Sequence, residues 1–215
     1  MDTLTKVLYV GKPVVFLLCL VPAATIVAQA FGLAGGLGAN PIEAIQDHFG
    51  NWGLRFILIA LAVTPLRLIS GRNWIGRFRR MLGLFAFFYV AMHFLAWLVL
   101  DQSMNWQAII ADISERPFIT IGFAALVMLS AMAATSTTGM RRRLGRRWQQ
   151  LHNGVYAVGA LGVWHYWWQV KADIREPLVY ALVLAALLAY RAWYRLRGRK
   201  RAQARAHARA FDSAG

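Results

Sequence analysis

Residues 146–170 read RRWQQLHNGVYAVGALGVWHYWWQV. After a basic and polar start the segment becomes almost wholly apolar, yet it holds two histidines, His152 and His165, thirteen residues apart. A run of about 20 apolar residues makes a helix that crosses the roughly 30 Å hydrocarbon core of a bilayer. The segment therefore predicts a membrane helix that carries imidazoles at two depths.

The composition extends this prediction to the rest of the chain. Of its 215 residues 59% are hydrophobic, and the mean hydropathy is +0.46. We predict an all-α, polytopic membrane helix bundle with about six transmembrane helices. They are expected near residues 10–31, 52–70, 82–100, 118–136, 150–169 and 177–195. The connections between them are marked by Pro41, Gly50, Gly71, Pro117 and Pro177, and we find no convincing internal repeat.

The net charge of +15 is concentrated between and after the apolar blocks. Two connections are rich in arginine (Arg72, Arg77, Arg79 and Arg80; Arg141, Arg142, Arg143, Arg146 and Arg147), as is the segment after residue 195. The alternating connections hold the acidic residues Glu43, Asp47, Asp101, Asp112 and Glu115. Because basic residues favour the cytoplasmic side, we expect both termini and the arginine-rich loops there. Acidic lipid head groups are the expected contacts of these arginines, and nucleic acid is not.

The histidines within the apolar blocks are the candidate functional residues. His93 in the third span and His165 in the fifth reach similar depths in the outer half, and His152 lies about 20 Å further in. Imidazole is costly in hydrocarbon, so its presence indicates function. Two facing helices that each supply one imidazole suit a haem iron. With Cys19 as the single cysteine and no CxxCH sequence, that haem would be of b type.

The inner site leaves several alternatives open. Arg79 lies fourteen residues before His93, on the same helical face. Because arginine stays protonated, it would pair with a haem propionate rather than with iron. A haem at His152 would then be five-coordinate, water-ligated or dependent on a ligand shared with the outer haem, so one or two haems are expected. His152 and His165 are also about 140° apart around an ideal helix, which requires a local distortion or haems approached from different sides.

Simpler roles compete with haem ligation. A membrane histidine can merely donate a hydrogen bond to a backbone carbonyl of a neighbouring helix. Glycines that would let a flat macrocycle approach are expected on the histidines' own helices, at Gly83, Gly154, Gly159 and Gly162. His48 is expected to be a solvated residue of the first connection, 32–51. The rival functions are a direct ferric or cupric reductase, a proton or solute transporter that uses His93 and His165 as a relay, and a structural anchor.

Six stretches give the chain a resemblance to a known family. They are GGLGANPIEAI, VTPLRLI, RRMLGLFAFFYVAMHF, ERPFITIGF, TSTTGMRRRLGRRWQQLHNGVYAVG and HYWWQVKADIREPLVYA, within residues 35 to 190. In order and spacing they resemble the haem-binding membrane subunits of bacterial protein-methionine-sulfoxide reductase systems, the MsrQ or YedZ family. That family belongs to the ferric-reductase-like transmembrane group.

The resemblance implies a function, cofactors and partners. It implies an electron-transfer subunit in the bacterial inner membrane that passes electrons from membrane quinol to a periplasmic molybdopterin-containing methionine sulfoxide reductase. Sulfoxide reduction itself would occur on that partner. Haem b and FMN are implied as cofactors, although the chain has no glycine-rich strand–helix loop for FMN.

The resemblance also assigns residues and regions. His93, His152 and His165 match the family's haem-ligand histidines, and Arg79 matches an arginine at the inner end of the third helix. Where the family has a histidine in the first connection this chain has Asp47, so we assign no role to His48. We therefore expect a cytoplasmic N-terminus (1–9), a haem-binding membrane domain (10–195) and a flexible basic tail (196–215).

Overall fold

The computed structural model describes residues 3–170 and 173–212, and within these ranges the chain is helical with no β-strand longer than a single bridge. The helices are α1 (Thr3–Lys6), α2 (Lys12–Ala30), α3 (Pro41–Ser70), α4 (Arg79–Ala96), α5 (Trp106–Glu115), α6 (Pro117–Ala134), α7 (Thr138–Leu144), α8 (Arg146–Asn153), α9 (Val155–Gln169) and α10 (Arg175–Asp212). Short π-helical turns, Val7–Gly11 and Trp97–Asp101, precede α2 and follow α4, and a 3₁₀ turn, Asn73–Phe78, leads into α4. The expected all-α membrane fold is confirmed.

Five helical stretches of the described chain are long and apolar enough to cross a bilayer. They are Tyr9–Ala30, Pro41–Ser70, Asn73–Asp101, Pro117–Ala134 and Arg175–Gly198. The predicted fifth span, 150–169, is not among them, because it is divided between α8 and α9. The amide of Gly154 bonds to the carbonyl of Leu151 three residues back, which interrupts the α-helical pattern. This break lies between His152 and His165, where a local distortion was one of the two expected alternatives.

The second span begins eleven residues earlier than predicted. The side chain of Asn40 accepts a hydrogen bond from the amide of Glu43, and Pro41 occupies the first helical position. Both features favour a helix start. Gly50 was predicted to mark a connection, and that prediction is wrong because Gly50 lies inside α3. The last helix likewise continues past residue 195, to Asp212.

The helices that surround the centre of the molecule pack as two pairs. α3 lies along α4, and α6 lies along α9. The pairs meet through contacts of α4 with α6 and of α3 with α9, while α2 and α10 pack on the outside. The core they share includes Leu61, Ala86, Tyr89, Leu129 and Val158, none of which is more than 5% exposed.

Polar contacts fix α2 to the bundle near Pro22. The hydroxyl of Tyr89 on α4 accepts from the amide of Ala23 at 3.0 Å and donates to the carbonyl of Cys19 at 2.7 Å. The hydroxyl of Tyr89 thus bridges two backbone groups of α2 that are four residues apart. Nε2 of His48 hydrogen-bonds to the carbonyl of Pro22 at 2.7 Å. The prediction that His48 is a solvated loop residue is therefore wrong: it is half-buried on α3, and its bond joins α3 to α2.

An arginine that the sequence argument overlooked joins α3 to α10. Nε of Arg55 donates to the hydroxyl of Tyr180 at 2.8 Å, and its guanidinium carbon lies 4.9 Å from the ring centre of Trp52. Close to it, the hydroxyl of Tyr166 on α9 donates to Glu176 on α10. These contacts hold the peripheral α10 against both inner pairs of helices.

Candidate functional site

A cavity of about 410 Å³ lies between α3, α4, α6 and α9. Its volume falls within the range of about 300–1,000 Å³ typical of small-molecule and cofactor sites. His93 and His165 line it, together with apolar side chains that include Leu54, Val90 and Phe123. The two histidines predicted to share a depth therefore face one apolar space.

The imidazoles of His93 and His165 are held in matching ways. Their ring centres are 6.1 Å apart, and the ring planes are 78° from parallel. Nδ1 of His93 bonds to the carbonyl of Gln46 at 2.9 Å, and Nδ1 of His165 bonds to the carbonyl of Phe118 at 2.7 Å. A carbonyl can only accept, so Nδ1 carries the proton in both rings and Nε2 keeps its lone pair. Each ring therefore offers Nε2 as a ligand nitrogen.

This donor set fits a metal held by a macrocycle. An imidazole nitrogen lies about 2.0–2.1 Å from a metal that it binds, so two rings on opposite sides of one atom have centres about 6 Å apart. Among the residues that the structure describes, no third His, Cys, Asp or Glu completes a metal-ion site. His93 and His165 would hold a haem iron through their two imidazole nitrogens. The bond at Nδ1 is the usual support of a metal-binding imidazole.

A glycine stands against each imidazole, on the neighbouring helix. A Cβ atom added to Gly50 would lie 3.0 Å from Nδ1 of His93. One added to Gly122 would lie 2.8 Å from Nδ1 of His165. These separations are at or below the shortest contacts that real Cβ atoms make. Gly50 thus allows the ring of His93 to reach the carbonyl of Gln46, one helical turn before the glycine. Gly122 does the same for His165 and the carbonyl of Phe118.

The residues around His93 and those around His165, which we call the two half-sites, correspond to each other at a constant sequence spacing. His93, Gln46 and Gly50 are each 72 residues before His165, Phe118 and Gly122. In both halves the histidine and the residue whose carbonyl it bonds are 47 residues apart. This correspondence covers three positions of each half-site, on α3 and α4 in one and on α6 and α9 in the other. The expectation of no internal repeat along the chain stays a prediction.

His152 lies outside this cavity, at the far end of the bundle. Its Nε2 is 3.2 Å from the hydroxyl of Thr135, and Trp148 stacks on its ring with centres 4.0 Å apart. Arg79, half-buried at the start of α4, is close enough to interact with it electrostatically. The residue 72 positions before His152 is Arg80, so the correspondence between the half-sites gives no second imidazole near His152. Arg79 and His152 are therefore brought together, but not with His93 and His165.

Charged side chains line the other parts of the cavity wall. They are Asp47, Asp101 and Arg116, and Arg116 also pairs with Asp112 at 3.1 Å. All four belong to the segments predicted to face outward. The cavity is therefore bordered by the acidic end of the molecule rather than by its arginine-rich end.

Sequence reasoning missed Gly50 and Gly122 because it looked for glycines on the histidines' own helices. Of the glycines proposed there, Gly162 lines the cavity, whereas Gly83 has nothing within 4 Å of an added Cβ. A detectable signal did exist, because Gly50 and Gly122 each precede their histidine by 43 residues. Only the structure shows that this repeated spacing corresponds to a contact.

Comparison with known proteins gives a consistent result. The model of the ferric reductase like transmembrane component family matches residues 49–163. The chain is 52% identical over 172 residues to the protein-methionine-sulfoxide reductase heme-binding subunit MsrQ of Rhodospirillum rubrum, which covers 80% of this chain and 82% of that protein. It is 47% identical over 174 residues to the MsrQ subunit of Bordetella pertussis, with 79% and 82% covered. The identity to the MsrQ subunit of Xanthomonas euvesicatoria pv. vesicatoria is 51% over 150 residues, with 70% and 69% covered. No solved structure matches the chain.

Proposed function

This chain belongs to the MsrQ family of ferric reductase-like membrane proteins, and we propose that it is the electron-transfer subunit of a protein-methionine-sulfoxide reductase system. It would take electrons from the quinone pool and pass them through b-type haem to a periplasmic molybdopterin enzyme. That partner would reduce methionine sulfoxide in oxidised periplasmic proteins, a lesion that converts an apolar side chain into a polar one. The expected location is the bacterial inner membrane.

One observation carries this proposal: His93 and His165 line one cavity, and Nδ1 of each ring bonds to a backbone carbonyl, which leaves Nε2 as the ligand nitrogen of a neutral imidazole. A relay for protons or solutes would need groups that exchange protons along a path. Here each Nδ1 proton is committed to a carbonyl, of Gln46 or of Phe118. The pair therefore suits a held metal better than a moving proton.

The residues of the chain have three tasks at this site. The carbonyls of Gln46 and Phe118 fix the tautomer and the orientation of the two imidazoles and raise their basicity as ligands. The apolar wall, which includes Leu54, Val90 and Phe123, keeps water from the metal. Haem b, when bound, supplies the one-electron Fe(III)/Fe(II) couple. Ligation, burial and charge around the site are what this chain contributes to its redox potential.

The roles of His152, Arg79 and FMN are proposed on the family resemblance. His152 remains a predicted ligand of a second haem, with Arg79 as the expected partner of a propionate. The described residues contain no strand–helix unit with a phosphate-binding loop, so FMN, which family resemblance implies, is given no site. Quinol and the periplasmic partner are likewise proposed on family membership.

The decisive experiment is a reduced-minus-oxidised spectrum with pyridine haemochrome quantification. It compares purified wild type with His93→Ala, His165→Ala and His152→Ala. We expect b-type bands in the wild type and their loss or strong reduction in the first two variants. His152→Ala should keep the low-spin signal of the outer site, and any fall in its haem count measures a second haem. Absence of haem from protein made with ample haem supply would refute the proposal.

A direct ferric or cupric reductase is the second candidate, favoured by the family match and by Asp47 and Asp101 on the cavity wall. The two functions differ in their acceptor. Dithionite-reduced protein that is reoxidised by chelated Fe(III) or Cu(II) as fast as by the periplasmic enzyme would favour the reductase. Reoxidation that depends on the periplasmic enzyme would favour electron transfer to a protein.

A further inference from the structure

A single cationic side chain lines the cavity. Among the described residues of the cavity wall, Arg116 is the only lysine or arginine, whereas Asp47 and Asp101 are acidic. Much of the remaining wall is apolar and includes Leu129 and Val158, which are 5% and 1% exposed. Charged groups are costly to bury against such side chains unless they are paired. A negative group of a bound cofactor is therefore favoured beside Arg116.

The guanidinium of Arg116 is held on one edge and open on the other. Its Nε lies 3.1 Å from Oδ1 of Asp112, and Oδ2 of Asp112 accepts from Gln102 at 3.0 Å. No group of the described residues accepts a hydrogen bond from the two terminal nitrogens of Arg116. A guanidinium is planar and binds a carboxylate through two parallel N–H bonds. Arg116 therefore has donors left for a second carboxylate.

The backbone of Arg116 is fixed next to the support of a proposed iron ligand. Its carbonyl accepts from the amides of Ile119 at 2.9 Å and Thr120 at 3.2 Å, in the first turn of α6. The carbonyl of Phe118, in the same turn, bonds to Nδ1 of His165 at 2.7 Å. One turn of helix thus positions both the cationic side chain and an imidazole of the site.

We propose that Arg116 binds one of the two propionate carboxylates of the haem at His93 and His165. This assignment rests on the proposed function and adds a cofactor-binding residue to it. Asp47 and Asp101 repel a carboxylate, so Arg116 also selects the orientation of the ring in the cavity. Asp112 acts through Arg116 and is a positioning residue. The charge of Arg116 favours Fe(II), because it repels the more positive Fe(III).

Haem titration of the full-length protein in detergent tests the assignment. Protein made without haem supply is titrated with haem b and with haem dimethyl ester, whose esterified propionates carry no charge, and binding is read from absorbance. We expect Arg116→Gln to weaken haem b binding about fivefold, which is about 1 kcal/mol and typical of an exposed ion pair. The same substitution should leave binding of the dimethyl ester unchanged.

Two further measurements separate a propionate contact from a role in folding. Arg116→Lys keeps the charge and should retain part of the haem b affinity that Arg116→Gln loses. It also covers the case in which Arg116→Gln does not fold. A potentiometric titration of the haem-loaded protein should give a lower midpoint potential for Arg116→Gln than for the wild type, because the charge that favours Fe(II) is gone.

The matched control is Arg175→Gln. Arg175 belongs to the same acidic end and also pairs with an aspartate through Nε, Asp173 at 4.0 Å, but it does not line the cavity. Equal weakening by Arg175→Gln would overturn the assignment in favour of general charge attraction. Equal weakening of haem b and of the dimethyl ester by Arg116→Gln would overturn it in favour of a structural role.

Unchanged haem b binding in Arg116→Gln would likewise overturn the assignment. In all three cases the wild type still binds haem, so the proposed function stands. Wild type that binds neither form of haem would refute the proposed function and this assignment with it. The two failures are therefore distinct.

Discussion

At the residue scale, the site depends on two positions that lack a side chain. Gly50 and Gly122 leave room for the imidazoles of His93 and His165 to lie against the neighbouring helices. In a helix interior glycine is about 1 kcal/mol less favourable than alanine. Both glycines therefore reduce the stability of their helices. The close approach of an imidazole explains why they are nevertheless present. Their value lies in the orientation of the rings.

Replacing these glycines by alanine should damage ligation rather than folding. We expect Gly122→Ala to lose more haem than Gly50→Ala, because its added methyl group would be 2.8 Å rather than 3.0 Å from the imidazole nitrogen. The measurements are haem stoichiometry and the low-spin electron paramagnetic resonance signal that two axial imidazoles give.

Gly83→Ala is the control, since it adds the same methyl group where nothing lies within 4 Å. That variant should keep its haem and be as stable as the wild type or slightly more so. Full haem and an unchanged resonance signal in Gly122→Ala would contradict the steric argument.

At the element scale, the hydroxyl of Tyr89 bridges two backbone groups of α2, to which His48 also bonds. Tyr89 is 0% exposed, and its ring stacks on Phe56 with centres 5.0 Å apart. Its hydroxyl accepts a hydrogen bond from the amide of Ala23 and donates one to the carbonyl of Cys19, on either side of Pro22 in α2. In hydrocarbon, backbone groups freed near a proline need such partners, because no water replaces them.

Removing this hydroxyl should loosen α2. We expect Tyr89→Phe to lower the free energy of unfolding by about 1–2 kcal/mol, the range found for buried and intramembrane hydrogen bonds. Unfolding in detergent, followed by circular dichroism, measures the change. Tyr190→Phe is the control, because its hydroxyl makes no hydrogen bond to the described residues. Equal stability of Tyr89→Phe and Tyr190→Phe would show that α2 is held by packing alone.

At the scale of the whole molecule, the two ends of the bundle carry opposite charge. The cavity is bordered by the acidic end, which holds Asp47, Asp101 and Arg116, while the arginine-rich segments α7 and α8 lie at the other end. A partner that receives electrons from the cavity would therefore meet acidic side chains first. Such a surface steers association at a rate that depends on ionic strength.

If the proposed function is right, charge reversal on the acidic end should slow electron transfer to the proposed periplasmic enzyme. We expect Glu115→Lys, at an exposed residue that ends α5, to reduce the rate several-fold at low salt and less at high salt. Asp112 is a poorer choice, because it is bound to Arg116 and Gln102.

The matched control is Arg142→Glu, which reverses a charge on the arginine-rich end. The rate of haem oxidation by the partner in stopped flow is the measurement. A rate that is unaffected by Glu115→Lys at low salt would count against the acidic end as the docking surface.

The sequence by itself determined the class of the protein and the depth of its histidines. Helix length, hydropathy and the distribution of arginine are local properties of the chain, and depth follows from counting residues along a helix. The contacts of the site were decided by the tertiary structure. They include the pairing of His93 with His165, the carbonyls of Gln46 and Phe118, and the glycines that face the rings. Each joins residues more than 40 positions apart, and only the packing of α3 on α4 and of α6 on α9 determines which side chains meet.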